Sequence, residues 1–460
     1  MPYSRLSLAL AGLGLLLLGL AAASPLVQAA PPRLAPAAPG GTRLPPPAGG
    51  QVPLDCDWQA YPIPAPVPED TLLDGLAALA PNDIWAVGDY TTSFTGSHTL
   101  IEHWNGTAWK IVPSPNPGSE LNTLVGIRAR TPSDIWAVGY FQINGMDHSL
   151  TLHWDGQQWT WMPNPDMDTD DFLWDVAILA PADVWAVGLD YRSGYSQTLV
   201  EHWDGTAWSV VPSLEGPYLW SYLYGVVALS PTDIWAVGAA RPLDAALQQP
   251  LLAHWDGTGW TAVPGPAVPG GLLWKAAFTS ASDGWAVGET GNALTLIAHW
   301  NGQSWTQVAS PSPAYGSNPL YSLVILAPDN IWAAGEAAWV GGPNHTLVLH
   351  WDGLTWQWIP SANPGAYLSE FRSIAAVAPD NLWAVGDLEQ CWGCWFRPLL
   401  ERYQQACPLP TATATATATP ALAPPPPLAT DLPVVQTATP LPAPPSVSPA
   451  PARSRPGSAP

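Results

Sequence analysis

The residue types able to do acid–base, redox or metal chemistry are few in this chain of 460 residues, and their placement excludes most of it. Six of the nine histidines (His103, His153, His202, His254, His299, His350) each stand directly before a Trp. The other three (His98, His148, His345) each precede a Thr-Leu or Ser-Leu pair. A group copied at one place in every repeat serves structure, because several copies of one catalytic residue serve no mechanism. A copper oxidase or a histidine general base is therefore not expected. Arg128, Arg192, Arg241, Arg372 and Arg397 share no repeat position, so the convergence on a carboxylate that a sialidase-like site needs is not expected either. The run Asp166-Met-Asp168-Thr-Asp170-Asp171 alternates acids as a calcium loop does, with Asp175 as a further ligand. It lacks the Gly at the sixth place and the acid at the twelfth, so a solvated acidic loop is the competing reading. Calcium is the one cofactor the sequence suggests.

These residues hang on a repeat. The string Asp-Ile-Trp-Ala-Val-Gly recurs in near copies, with its Trp at 85, 136, 185, 235, 285, 332 and 383, at spacings of 51, 49, 50, 50, 47 and 51. Between the copies lies Thr-Leu-x-x-His-Trp-Asn/Asp-Gly-x-x-Trp, which is degenerate only in the last unit, Leu400-Glu401-Arg402-Tyr403. A period near 50 means a solenoid or a propeller. Each unit divides into four short strands, in the first unit Leu72 to Leu79, Ile84 to Tyr90, Thr99 to Trp104 and Ala108 to Val112. Asn105-Gly106 and its five Asn-Gly or Asp-Gly equivalents predict two-residue hairpins with both residues at positive φ. Turn acids Asp83, Asp134, Asp183, Asp233 and Asp283, replaced by Asn330 and Asn381, predict turn closure through local backbone bonds. The expected fold is all-β: a seven-bladed β-propeller of four-stranded antiparallel blades.

Closure comes from the N-terminus. The last unit lacks its hairpin turn and fourth strand, whereas Trp58-Gln59-Ala60-Tyr61-Pro62 matches the fourth strand Trp109-Lys110-Ile111-Val112-Pro113. The N-terminal strand should therefore pair with Pro398 to Tyr403. Cys56 precedes that strand and Cys407 follows its partner, which predicts a Cys56–Cys407 disulfide in an exported chain. Cys391 and Cys394 should close a small loop; a redox role would need a helix opening after them, and none is expected.

The seven units resemble those of secreted bacterial β-propellers of the kelch-like and Asp-box-like kind, through Asp-Ile-Trp-Ala-Val-Gly and His-Trp-Asp-Gly-x-x-Trp. The resemblance covers residues 54–407 and implies a fold; such propellers include both enzymes and binders. The units depart from both patterns, lacking the Gly-Gly doublet of kelch units and the Ser and spacing of an Asp-box.

The position eleven residues before each signature Trp varies, reading Asp74, Val125, Trp174, Tyr224, Trp274, Tyr321 and Arg372. Four consecutive blades present an aromatic there. The position begins the innermost strand and should ring the channel mouth on the face with the long, variable loops. Tyr218, Trp220, Tyr222 and Trp392 are expected in loops of that same face. Flat rings beside acids such as Asp74, Glu370 and Asp175 would suit a sugar. Trp174, Tyr224, Trp274, Tyr321, Trp220, Arg372 and Asp74 are thus the candidate ligand residues. The alternative is that the rings plug the channel.

Outside the repeats, residues 1–29 read as an export signal: Arg5, an apolar run from Leu6 to Ala23, and Val27-Gln28-Ala29 for cleavage, with an uncleaved signal anchor as the alternative because the run is just long enough to span. Residues 30–53 are a Pro/Ala-rich linker, 54–408 the propeller, and 409–460 a Pro/Thr/Ala-rich tail expected to be disordered. The formal charge of −22 excludes a duplex nucleic-acid binder and an anionic-membrane binder, both of which need a basic face. The sequence thus predicts a secreted monomer with no membrane span in the mature chain, binding an extracellular glycan or protein without catalysis. A polysaccharide-active hydrolase or lyase is the alternative and would need two acids about 5–10 Å apart at the mouth. A non-binding scaffold is the third reading.

Overall fold

The computed structural model describes residues 58–404, apart from Phe94, Thr95, Asp166, Ser193 and Glu215. The export signal, the linker, the tail and the Cys56–Cys407 pair lie outside the described residues. The fold is a seven-bladed propeller. Five blades are separate four-stranded antiparallel sheets, and the last two join into one eight-stranded sheet through a single bridge, Asn344 to Leu368. In blade 1 the strands are Thr71–Ala80, Asp83–Thr92, Gly96–Trp104 and Trp109–Ile111. The first strands of successive blades touch one another around a central channel. In order these inner strands are Thr71–Ala80, Leu121–Thr131, Asp170–Ala180, Tyr218–Ser230, Leu272–Ser280, Leu320–Ala327 and Leu368–Ala378.

Closure is as the sequence predicts. Gln59–Ala60 pairs antiparallel with Arg402 and Glu401 and forms the fourth strand of blade 7. Its anchor is Trp58, only 1% exposed. The signature Trp of each blade packs on an aromatic ring from the third strand of the next blade, with centroids 5.0–5.5 Å apart. At the seam this series runs from Trp332 to Tyr403 and from Trp383 to Trp104. Large rings buried between sheets contribute apolar area and specific ring contacts at every blade interface.

Two turn expectations need correction. The Asn-Gly and Asp-Gly loops are four residues long, since Trp104 pairs directly with Trp109. Only the glycine takes positive φ, as at Gly106 (91°). The preceding side chain does the closing: Asn105 Oδ1 accepts the N–H groups of Thr107 and Ala108, each at 3.0 Å. A side chain that satisfies two amides makes the mirror-image turn unnecessary. The turn acids, in turn, bond to side chains rather than local backbone. Asp83 Oδ1 accepts Trp85 Nε1–H at 2.8 Å and sits 2.9 Å from His103 Nε2, and the His103 ring stacks on Trp85 at 4.1 Å. Asn330 does the same for Trp332 and His350, while in blade 7 Arg402 stands in for the histidine, donating to Asn381 and lying over Trp383. Burial holds His350 neutral, down to about 4. The histidines are therefore part of the blade framework.

Candidate functional site

A cavity of about 1320 Å³ occupies the channel. All seven positions that stand eleven residues before the signature Trp line it. They share a backbone cause. In every blade the pairing of first and second strands skips a residue next to the turn and another further up the strand, and the latter is Asp74, Val125, Trp174, Tyr224, Trp274, Tyr321 or Arg372. Such a β-bulge re-aims the extra side chain, here toward the axis. The glycine of each Asp-Ile-Trp-Ala-Val-Gly copy makes room for it. A Cβ on Gly88, Gly139, Gly188, Gly238, Gly288, Gly335 or Gly386 would run into the carbonyl oxygen two residues before the bulge. That glycine, present in all seven units, was the sequence signal for a bulge, and periodicity alone does not reveal it. The bulges sit inside the channel rather than at the strand start. Asp74 is the fourth residue of its strand, roughly 10 Å along it at the usual rise.

One side of the wall carries a row of aromatic rings. Trp174, Tyr224, Trp274 and Tyr321 form an unbroken row across blades 3 to 6, with successive centroids 6.1, 4.2 and 5.5 Å apart. Tyr224 is buried against its neighbours, whereas Trp174, Trp274 and Tyr321 are half-buried and face the cavity. The rings line an open space and do not plug it. Tyr218, Trp220 and Tyr222 lie in the blade 4 inner strand, which begins early, and not in a loop as expected. Trp220 still lines the cavity, but it is buried and stacked on Tyr222 at 4.8 Å. Trp392 does lie in a loop, 81% exposed at the cavity rim.

The other side is charged. Arg372 Nη2 donates to Glu370 Oε1 at 2.6 Å, and its guanidinium lies 4.7 Å over the Tyr321 ring. Asp387 accepts the Leu73 N–H across the seam at 3.2 Å. Tyr321 donates to Glu336 at 3.4 Å, as does Asn344. Burial, with Glu370 alongside, raises the proton affinity of Glu336, and burial also raises that of Asp387, where Asp74 and Glu370 reinforce it. Asp74 is raised by burial against the opposing pull of Arg372. Desolvation and mutual repulsion both favour the neutral form of these three carboxyls.

Arg128, Arg241 and Arg372 all line the cavity. Each is engaged: Arg128 with the Val176 carbonyl and Asp175, Arg241 with the Ala245 carbonyl, Arg372 with Glu370. Arg192 pairs with Asp190 and Arg397 donates to the Val67 carbonyl. Asp175 is not an available acceptor for a sugar. It is buried, 2.7 Å from Lys275 Nζ, and accepts the Val226 N–H at 2.9 Å.

The calcium expectation fails for its described members. Asp166 lies outside the described residues, and Asp168 is an exposed bend residue with φ 52°. Asp170 and Asp171 belong to the inner strand of blade 3 and accept the backbone N–H groups of Asp147 and Ser149, which fixes them as strand caps. Among the described residues no three His, Cys, Asp or Glu come together to hold a metal. Cys391 and Cys394 form the expected small disulfide loop.

No protein-family model and no curated protein matches the sequence. Among solved structures the chain is similar to YCF48 bound to D1 peptide (TM-score 0.49, 16% identity, 76% of this chain and 97% of that one). It is also similar to the GH74 xyloglucanase from Xanthomonas campestris (0.45, 11%, 74% and 55%) and a fucose-specific lectin from Aleuria aurantia (0.40, 13%, 68% and 100%). The likeness to kelch and Asp-box units remains one of short strings. Among the described residues no helix is long and apolar enough to cross a membrane.

Proposed function

We propose that this chain is an exported binding module of the kelch-like or Asp-box-like kind, which takes an extracellular glycan or polypeptide at the channel mouth without transforming it. The observation that carries the reading is the open cavity with an aromatic row on one side and a fixed set of charges on the other. Pre-formed concave sites lined by rings with a few placed polar groups are where ligands bind. Trp174, Trp274 and Tyr321 would supply contact area, with Arg372 and Asp74 as polar contacts and Tyr224 and Trp220 as their backing. The test is to screen the purified protein on glycan and peptide arrays beside a Trp174→Ala/Trp274→Ala variant. Binding that the variant loses, with a melting temperature lower by only a few degrees, supports the site. A variant that binds as well as the parent refutes it.

The second reading, a hydrolase at the same mouth, draws on the buried carboxyls with raised proton affinity. Burial raises the proton affinity of Glu336, and Glu370 beside it raises it further. Release of new reducing ends from a bound polysaccharide, abolished by Glu370→Gln, would favour this reading over binding alone.

A further inference from the structure

The loops joining second and third strands, which open on the face where the inner strands begin, carry an apolar rim. Trp392 and Trp395 of blade 7, Val340 of blade 6, Leu243 and Leu247 of blade 4 and Tyr195 of blade 3 are all exposed, Val340 by 82%. Apolar side chains grouped at an opening mark interaction surfaces more often than singly scattered ones do. Leu247 and Trp392 also line the cavity, so rim and channel form one surface.

Trp392 is held ready. The Cys391–Cys394 disulfide closes the turn that carries it, with Gly393 at φ 74° and the Cys394 N–H bonded to the Cys391 carbonyl at 3.0 Å. The indole stands edge-on to Tyr367 at 5.3 Å. A cross-linked turn leaves little backbone freedom to lose when its tryptophan binds, which suits an interface anchor.

The chemistry of the rim selects its partner. Sugars are gripped by flat rings, but Leu243, Leu247 and Val340 offer aliphatic tips, which suit apolar side chains. The exposed charges in the loops of this face include the acids Glu120 and Asp244, while Arg192 is held by Asp190. With a net charge of −22 the chain is repelled by anionic lipid. Resting on the channel-mouth reading above, we infer that this face docks an extended polypeptide segment carrying Lys or Arg among apolar side chains, with Trp392 as its anchor.

The experiment is to pan a displayed library of random peptides against the purified full chain, then titrate the consensus peptide into parent, Trp392→Ala and Leu247→Ser proteins. Enriched peptides should combine Lys or Arg with Leu, Ile, Phe or Trp. Affinity should fall at least ~10-fold in Trp392→Ala at unchanged melting temperature, and should weaken with added salt. No enrichment, acidic consensus peptides, or equal binding by both variants would overturn the inference. So would Trp392-dependent binding to phosphatidylcholine vesicles, which would assign the rim to lipid. Array hits confined to glycans would overturn it while leaving the binding reading intact, and silence on every array would remove both.

Discussion

Lys275 reaches across an entire blade to Asp175, its ammonium nitrogen 2.7 Å from the carboxylate. The two residues occupy the same place, one after the bulge, in blades 5 and 3, and the blade between them has Gly225 there. The missing side chain opens the path. Asp175 also accepts the Val226 N–H of blade 4 and lies 3.9 Å from Arg128 of blade 2, so one buried carboxylate ties four blades.

Removing one partner of this pair should cost far more than removing both. Lys275→Ala is expected to lower unfolding stability by about 3–5 kcal/mol, since it strips a buried carboxylate of its nearest cation. Lys275→Met with Asp175→Asn should recover most of that, because Asn still accepts the Val226 amide. Denaturant titration of the three proteins checks the order.

The glycines beneath the bulges should be irreplaceable. Gly238→Ala drives a methyl into the Tyr222 carbonyl oxygen and should cost about 3 kcal/mol. Gly145 has positive φ but open space around it, so Gly145→Ala should cost only about 1–2 kcal/mol. Equal losses in thermal melts would contradict the bulge argument.

Stability should rise on mild acidification. Glu102, Glu201 and Glu401 are fully buried beside the repeat histidines or Arg402, and burial raises each from 4.5 to about 8. Below pH 4.5 both folded and unfolded forms are protonated and folding is unpenalised. As pH climbs toward 8 the unfolded carboxyls ionise while the buried ones stay neutral, so stability is progressively lost. Glu201 is bonded by Asn164 and Glu401 by the Ala362 amide, whereas among the described residues neither oxygen of Glu102 has a partner. Melting temperature should therefore be higher at pH 5.5 than at pH 8, and Glu102→Gln should narrow the gap. Below about pH 4 the opposite trend takes over at the exposed turns. There Thr206 and Ala207 hold the Asp204 carboxylate at about 2, and its contribution disappears as it protonates.

The blade framework supplies its own control for the turn acids. Blades 6 and 7 already use Asn, so Asp233→Asn should change stability by less than about 0.5 kcal/mol. Asp233→Ala leaves Trp235 Nε1–H and His254 without their acceptor and should cost about 1–3 kcal/mol. Paired melts at pH 7 decide it.

Much of this was legible in the residues. The period, the blade count and the completion of blade 7 by Trp58-Gln59-Ala60 follow from pattern alone, because inter-blade burial demands the same rings in every unit. The seven cavity positions were also found, through their failure to repeat. Their depth was missed, since a bulge is a backbone event with no periodicity of its own. Trp220 was misplaced because the blade 4 strand extends beyond the repeat boundary. Lys275 was missed altogether: its role depends on Gly225, fifty residues earlier, being empty. The Asp–Trp–His contacts join residues about twenty apart, and neither the turn nor the strand containing them shows the other in sequence.

The seam at Trp58 has a consequence for the order of synthesis. The strand made first is the one placed last, because its partner Arg397–Gln404 leaves the ribosome more than three hundred residues later. Six blades can form from contiguous chain while the seventh waits for both ends. Each end therefore carries an unpaired strand edge until they meet, and closing that loop costs chain entropy that only the finished blade repays. Until then both edges are open to pairing with neighbouring chains.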